Sequence, residues 1–270
     1  MVIRALLLLA LLFPVVAPAS LLYQEGMARA PDSLTPLYQE QHWLRMDGTR
    51  PRERLVVYRC PDGTAFARKR IDYRASLVAP EFRLIDARSG YQEGLRRLAD
   101  GAAALWVRAG TTAEERSAAV DAANLVADAG FDAFIDRHWP ALAAGQSVAL
   151  AFALPSRLQS LDFRVARVGQ TRLDGEPAWI FRLRLGGWLG WLAPHIDVVY
   201  GQQSRRLLRF EGLSNLRDDR GDAPLLARID FPLPARIDNE ARWQDALSEP
   251  LTACRVGGQG ADDRTVGKAD

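Results

Sequence analysis

From Arg52 onward the chain is a succession of short apolar runs in period two, each closed by a turn signal, and this restricts it to an antiparallel sheet. Leu55-Val56-Val57-Tyr58 is rich in strand formers, and Pro61-Asp62-Gly63 is a turn. Ala65, Ala67, Ile71 and Tyr73 then alternate, so the pair reads as a hairpin with Cys60 at its tip. Glu81 to Asp86 is the next strand, followed by a Ser89-Gly90 turn. Further on come Val148 to Phe152, the alternation Leu161, Phe163, Val165, and an Asp174-Gly175 hairpin turn ahead of Ala178 to Leu185. Ile196 to Tyr200, Arg206 to Phe210 and Leu225 to Phe231 complete the pattern. Strands this short and this evenly spaced predict a meander or an open barrel.

Between the two runs of strands the spacing turns helical. Thr111 and Thr112 can cap a helix with Glu114 and Glu115 in its first turn, where acids suit the helix dipole. Ala118, Ala119, Ala122, Ala123 and Val126 keep helical spacing, and Phe131, Phe134, Ile135 and Trp139 share a face before Pro140. The expected fold class is therefore α+β: a curved, mostly antiparallel sheet, an incomplete β-barrel, covered by amphipathic helices. One β-rich domain is expected over residues 46–254, with a helical insert at 112–143, an extended lead-in at 20–45 and a disordered tail at 255–270.

Residues 1–19 read as a signal peptide. Arg4 supplies the positive start, Ala5 to Phe13 the apolar core, and Ala17-Pro18-Ala19 a small-residue cleavage site ahead of Ser20. The core is shorter than the roughly 20 apolar residues of a spanning helix. An uncleaved anchor reaching Leu22 is the alternative. The expected location is the periplasm, where the two cysteines, Cys60 and Cys254, pair by default as a disulfide; two free thiols are the alternative.

The balance of 35 Lys+Arg against 33 Asp+Glu gives no strong field, and the arginines are scattered, so no nucleic-acid footprint is expected. Arginine supplies nearly all the positive charge, with Lys69 and Lys268 the two lysines. The chain holds no His-Glu-x-x-His, no phosphate-binding loop and no nucleophile elbow; Gly212-Leu213-Ser214-Asn215-Leu216 lacks the closing glycine that the sharp turn of an elbow needs. His42, His138 and His195 have no metal-ligand spacing. His195 and Asp197 lie two apart on a strand, where a carboxylate can orient an imidazole, but no nucleophile accompanies them, and a structural histidine is the commoner case. His138 suits a helix end, near the last carbonyls. Asp218, Asp219 and Asp222 around Gly221 lack the alternation of a calcium loop and read as a solvated turn.

The stretch Gly186 to Pro194 resists a purely structural reading. It joins two strands, yet carries Trp188, Leu189, Trp191 and Leu192 among three glycines. These four residues either plug the end of a barrel or line a ligand mouth, with peripheral membrane contact a further option.

The segment from Val168 through Asp174-Gly175 to Leu183, then Asp197-Val-Val-Tyr and Arg205-Arg-Leu-Leu-Arg-Phe-Glu-Gly, resembles consecutive sheet strands of the periplasmic lipoprotein-carrier superfamily and related envelope proteins, over about residues 148–231. The resemblance implies an incomplete barrel whose concave face binds acyl chains. The chain lacks a lipid-anchor cysteine near the cleavage site, unlike the membrane-attached members, and no functional residue of the family maps onto it. Two functions compete: a periplasmic protein holding a lipid or other hydrophobic ligand between sheet and helices, and an envelope structural protein with a filled core and no ligand. An enzyme, most plausibly a hydrolase, ranks third, and no cofactor is expected.

Overall fold

Strand structure begins at Ser20 in the computed structural model, which describes residues 20–121, 123–187 and 194–256. A first run comprises β1 (Ser20–Arg29), β2 (Pro36–Asp47), β3 (Arg50–Arg59), β4 (Ala65–Asp72), β5 (Glu81–Asp86), β6 (Tyr91–Arg97), β7 (Ala103–Arg108) and β8 (Arg116–Val120). A short strand β9 (Leu125–Val126) leads into the helices α1 (Gly130–Arg137) and α2 (Trp139–Ala143). The second run is β10 (Val148–Leu154), β11 (Gln159–Leu173), β12 (Glu176–Leu185), β13 (Ile196–Gly201), β14 (Leu207–Arg217) and β15 (Pro224–Asp230). β16 (Arg236–Ile237) and α3 (Glu240–Ser248) end the described chain.

Each run is a meander, and the two are zipped together by β1 and β15, which pair antiparallel through Met27↔Asp230 and Ala28↔Ile229. The result is one curved antiparallel sheet from β8 to β9, left unclosed; the parallel pair of β9 with β10 is its one exception among the described strands. The Asp174-Gly175 turn holds both residues at positive φ, 49° and 82°, which Asp and Gly tolerate and which matches the twist of the hairpin β11–β12. Among the described residues no helix is long and apolar enough to cross a membrane.

Side chains alternate across each strand, so the sheet has two differently employed faces. On one, Leu21, Tyr23, Trp43, Leu55 and Val57 pack with Trp243 and Ala246 of α3. Asn239 caps that helix by accepting from the Arg242 amide at 3.0 Å, and the Trp43 indole donates to Asp238 at 2.9 Å just before it. On the other face, Val56, Tyr58 and Phe66 form a core with Ile229 and Phe231, and Phe134, Ile135, Trp139 and Leu142 of α1 and α2 pack on Val165, Phe181, Leu183 and Val198.

Three sequence expectations are corrected here. Residues 20–45 are not a lead-in: they form β1 and most of β2, strands in the middle of the sheet. Their apolar alternation was hidden because the inward positions of β2 carry Tyr38, Glu40 and His42. The helical insert expected at 112–143 is helical only from Gly130; Arg116 to Val120 is a strand paired to β7 through Ala104↔Ala119 and Leu105↔Ala118. Alanine favours helix only weakly per residue, a short helix pays a costly nucleus, and the buried run Ala103 to Val107 offers the segment a ready ladder. Of the tail expected at 255–270, the described end is ordered: Val256 is buried and its amide donates to Asp219 at 3.0 Å. Residues 1–19 and 257–270 lie outside the described residues.

Candidate functional site

The inward positions of the strands do not fill the space between them. A cavity of about 200 Å³ lies between the sheet and the start of α1. One wall is apolar, built from Leu183 of β12, Ile196 and Val198 of β13, Phe210 of β14, Ile229 of β15, Phe152 of β10 and Phe131 of α1. The other wall is polar. Register places Glu40 opposite Tyr58, His42 opposite Val56 and Val56 opposite Lys69, so Tyr38, Glu40, His42, Arg54, Tyr58 and Lys69 face inward from three adjacent strands.

Asp128 and Asp132, at the entry to α1, meet this polar wall. The Lys69 ammonium donates to Asp128 at 2.8 Å, with side-chain exposures of 12% and 2%, so the pair is nearly dry. Burial works to lower the Lys69 pKa, but Asp128 and then Glu40 outweigh it and hold the ammonium charged. Arg54 donates to Asp132 at 3.5 Å, and the Tyr200 hydroxyl donates to the other oxygen of Asp132 at 2.7 Å. For Arg54, too, burial is overcome, by Tyr73, Asp132 and Asp128, and its pKa is raised. His42 Nε2 and Glu40 Oε2 are 2.7 Å apart. Asp128 adopts φ 46°, a left-handed conformation that Asp tolerates better than most residues, and so turns its carboxylate toward Lys69 while its own backbone starts the helix.

Two polar atoms of this wall are left over. The Tyr38 hydroxyl and Arg54 Nε are buried and make no hydrogen bond. Burial, then Glu40 and Tyr58, push the Tyr38 pKa well above its ordinary value against an opposing pull from the nearby Ser214 hydroxyl, which falls short of a hydrogen bond by geometry. The group is therefore a neutral phenol able to donate or accept. Buried polar groups are nearly always paired, so an orphan on a cavity wall is a place where a ligand atom fits.

The loop residues singled out by the sequence, Trp188, Leu189, Trp191 and Leu192, lie outside the described residues. The strands they join do reach the cavity: Leu183 pairs with Ile196 across β12 and β13, and both line it. Cys60 and Cys254 form a disulfide, Cα–Cα 6.4 Å. His195 and Asp197 are not brought together as a catalytic pair: they stand 3.9 Å apart with His195 exposed, and Asp197 accepts both Nε and Nη2 of Arg182 at 2.7 and 2.6 Å. His138 Nδ1 lies 2.9 Å from the Phe134 carbonyl at the end of α1. Gly212 to Leu216 is part of β14. Asp218 caps the β14–β15 turn by accepting from the Asp222 amide at 2.9 Å, whereas Asp219 takes Arg88 at 3.1 Å and the Val256 amide. Among the described residues no group of three metal-ligating side chains is assembled.

Sequence reasoning missed Tyr38, Glu40, His42, Arg54, Asp128 and Asp132. One signal was available: Lys69 is one of two lysines in a chain that otherwise uses arginine. A compact ammonium fits a buried point contact with one carboxylate where a guanidinium fork does not.

No family model and no curated protein matches the chain. Similar solved structures include a β-barrel-like protein of domain of unknown function DUF1849 from Brucella abortus, 10% identical, TM-score 0.37, covering 83% of this chain and 99% of that one. A DUF1329 family protein from Desulfovibrio piger is 10% identical, TM-score 0.26, covering 82% and 86%. A domain described as that of an outer membrane lipoprotein-sorting protein, from Vibrio parahaemolyticus, is 9% identical, TM-score 0.24, covering 84% and 88%. That last structure is of the kind that the strand–turn pattern of residues 148–231 resembles. None of the three carries an argument about ligand or function.

Proposed function

We propose that the chain is an exported binding protein that holds a lipid or other hydrophobic ligand in the cavity between the sheet and α1. The observation that carries this reading is the cavity itself: about 200 Å³ of unfilled space behind an apolar wall, in an interior that would otherwise close-pack. A purely structural protein gains nothing from such a void, since cavities destabilise in proportion to their volume. The disulfide fits an oxidising compartment and hence export to the periplasm, with residues 1–19 as the signal peptide. In this reading Trp188, Leu189, Trp191 and Leu192, which lie in sequence between the cavity-lining Leu183 and Ile196, are the ligand mouth. No reaction is assigned: among the described residues the polar wall contains ion pairs but no nucleophile activated by a base.

The test is to fill the space. Leu207→Trp places an indole from a half-buried position on the cavity wall. Displacement of a fluorescent fatty-acyl probe should be lost in this variant, while its melting temperature stays close to that of the parent. Equal probe binding by both proteins overturns the assignment. Replacing Trp188 and Trp191 by alanine should weaken probe binding without unfolding the chain if the loop is the mouth; a collapse of the melting temperature instead makes it a core plug.

A further inference from the structure

The polar wall of the cavity has a sign. Three carboxyl groups, Glu40, Asp128 and Asp132, stand on it against two cations, Arg54 and Lys69, with the His42 imidazole held 2.7 Å from Glu40. Both cations are already engaged, Lys69 with Asp128 and Arg54 with Asp132. Behind the wall stands another carboxyl group, Glu93, 3% exposed, which accepts from the Tyr91 hydroxyl at 2.6 Å and from Asn215, itself a cavity residue, at 2.8 Å. Arg217 reaches only the Tyr91 hydroxyl of that group, at 3.2 Å. A carboxylate or phosphate brought into the cavity would add negative charge where the effective dielectric is low and each cation already has a carboxylate partner, which is unfavourable.

An uncharged head meets no such opposition, and the wall has atoms to offer it. Tyr38 is 1% exposed, lines the cavity, and its hydroxyl has no hydrogen bond. Glu40, two residues along the same inward face, spends one oxygen on His42, which leaves the other for a ligand. Arg54 Nε is a further unused donor. A hydroxyl that both donates and accepts, together with an ester or amide carbonyl, matches this set of one phenol, one carboxylate oxygen and one N–H. The space limits the tail: about 200 Å³ lies below the ~300–1,000 Å³ of pockets that take drug-sized ligands, so a short chain fits better than a long one.

Resting on the binding reading above, we infer that the ligand is a short-chain amphiphile with an uncharged, hydroxyl-bearing head of the monoacylglycerol type, and that the cavity selects against the corresponding fatty acid. The test is calorimetric titration of the purified, disulfide-bonded chain near neutral pH with 1-monooctanoylglycerol, with octanoate, and with octanamide, which has the shape of octanoate without its charge. Both neutral probes should bind about tenfold or more tighter than octanoate. Glu40→Gln should narrow that gap by letting octanoate in, with Asp132→Asn as the second neutralising variant should Glu40→Gln fail to fold. Tyr38→Phe should weaken 1-monooctanoylglycerol severalfold and leave octanoate unchanged. Octanoate binding as tightly as octanamide, or a gap that neither neutralising variant narrows, overturns the headgroup inference and leaves the binding function standing. Absence of binding by all three probes overturns the binding function, and the inference falls with it.

Discussion

Removing the disulfide should be among the costliest changes this protein can undergo. Cys60 and Cys254 are separated by 194 residues, so the bond closes a loop that runs from β4 to α3. In the chain-entropy account a loop of that length restricts the unfolded ensemble by about 5 kcal/mol at 25 °C, at the top of the range seen for disulfides. The native contacts of the C-terminal segment survive its loss. Arg59 grips Glu249 through two nitrogens at 2.7 and 2.5 Å, the Thr252 amide donates to the Ala65 carbonyl at 2.8 Å, and Val256 stays buried against Asp219. The effect should therefore fall mainly on the unfolded state. Urea unfolding of Cys60→Ala/Cys254→Ala should show a loss of about 3–5 kcal/mol together with a steeper denaturant dependence, because the released chain exposes more surface. A loss below about 1 kcal/mol with an unchanged slope would refute the reasoning, as would two equivalents of titratable thiol in the denatured, unreduced protein.

Lys69→Met leaves Asp128 charged and dry, and should cost about 3–5 kcal/mol. Adding Asp128→Asn, which keeps a residue tolerant of positive φ, should recover part of that loss, and a double-mutant cycle by chemical denaturation measures the coupling. Burial raises the Glu93 pKa, against the Tyr91 and Asn215 hydrogen bonds that lower it. A carboxyl whose folded pKa is raised holds its proton more tightly in the native state, so its contribution declines as pH rises from about 4.5 through the folded value. Glu93→Gln should accordingly gain melting temperature relative to the parent as pH increases over that window; a difference that stays flat or shrinks contradicts the burial effect.

The strands that the sequence made legible are those whose inward face is apolar. Trp179, Phe181 and Leu183 announce β12, and the hairpin turns at Asp62-Gly63 and Asp174-Gly175 lie where backbone chemistry placed them. β2 was not legible because its inward face helps build the polar wall, and β1 because Gln24 and Gly26 interrupt the apolar period on the same face. β8 was hidden by the helix propensity of its alanines, which the ladder to β7 overrides. The cysteine pairing was legible from composition and compartment alone. The cavity was not: its parts come from β2 to β5, the entry of α1, β10 and β12 to β15, and the ion pair on its wall joins residues 59 apart. Nothing local in the chain marks Lys69 and Asp128 as partners. Only the curvature that brings the two meanders face to face does so.

Native mass spectrometry of the protein purified from its own host, without added lipid, tests the central claim most directly. A 1:1 adduct with a small, uncharged amphiphile, present in the parent and absent in Leu207→Trp, is the predicted result. A bare mass for both proteins, with no adduct formed when 1-monooctanoylglycerol is added, would contradict the account and make the cavity a packing defect in a structural protein.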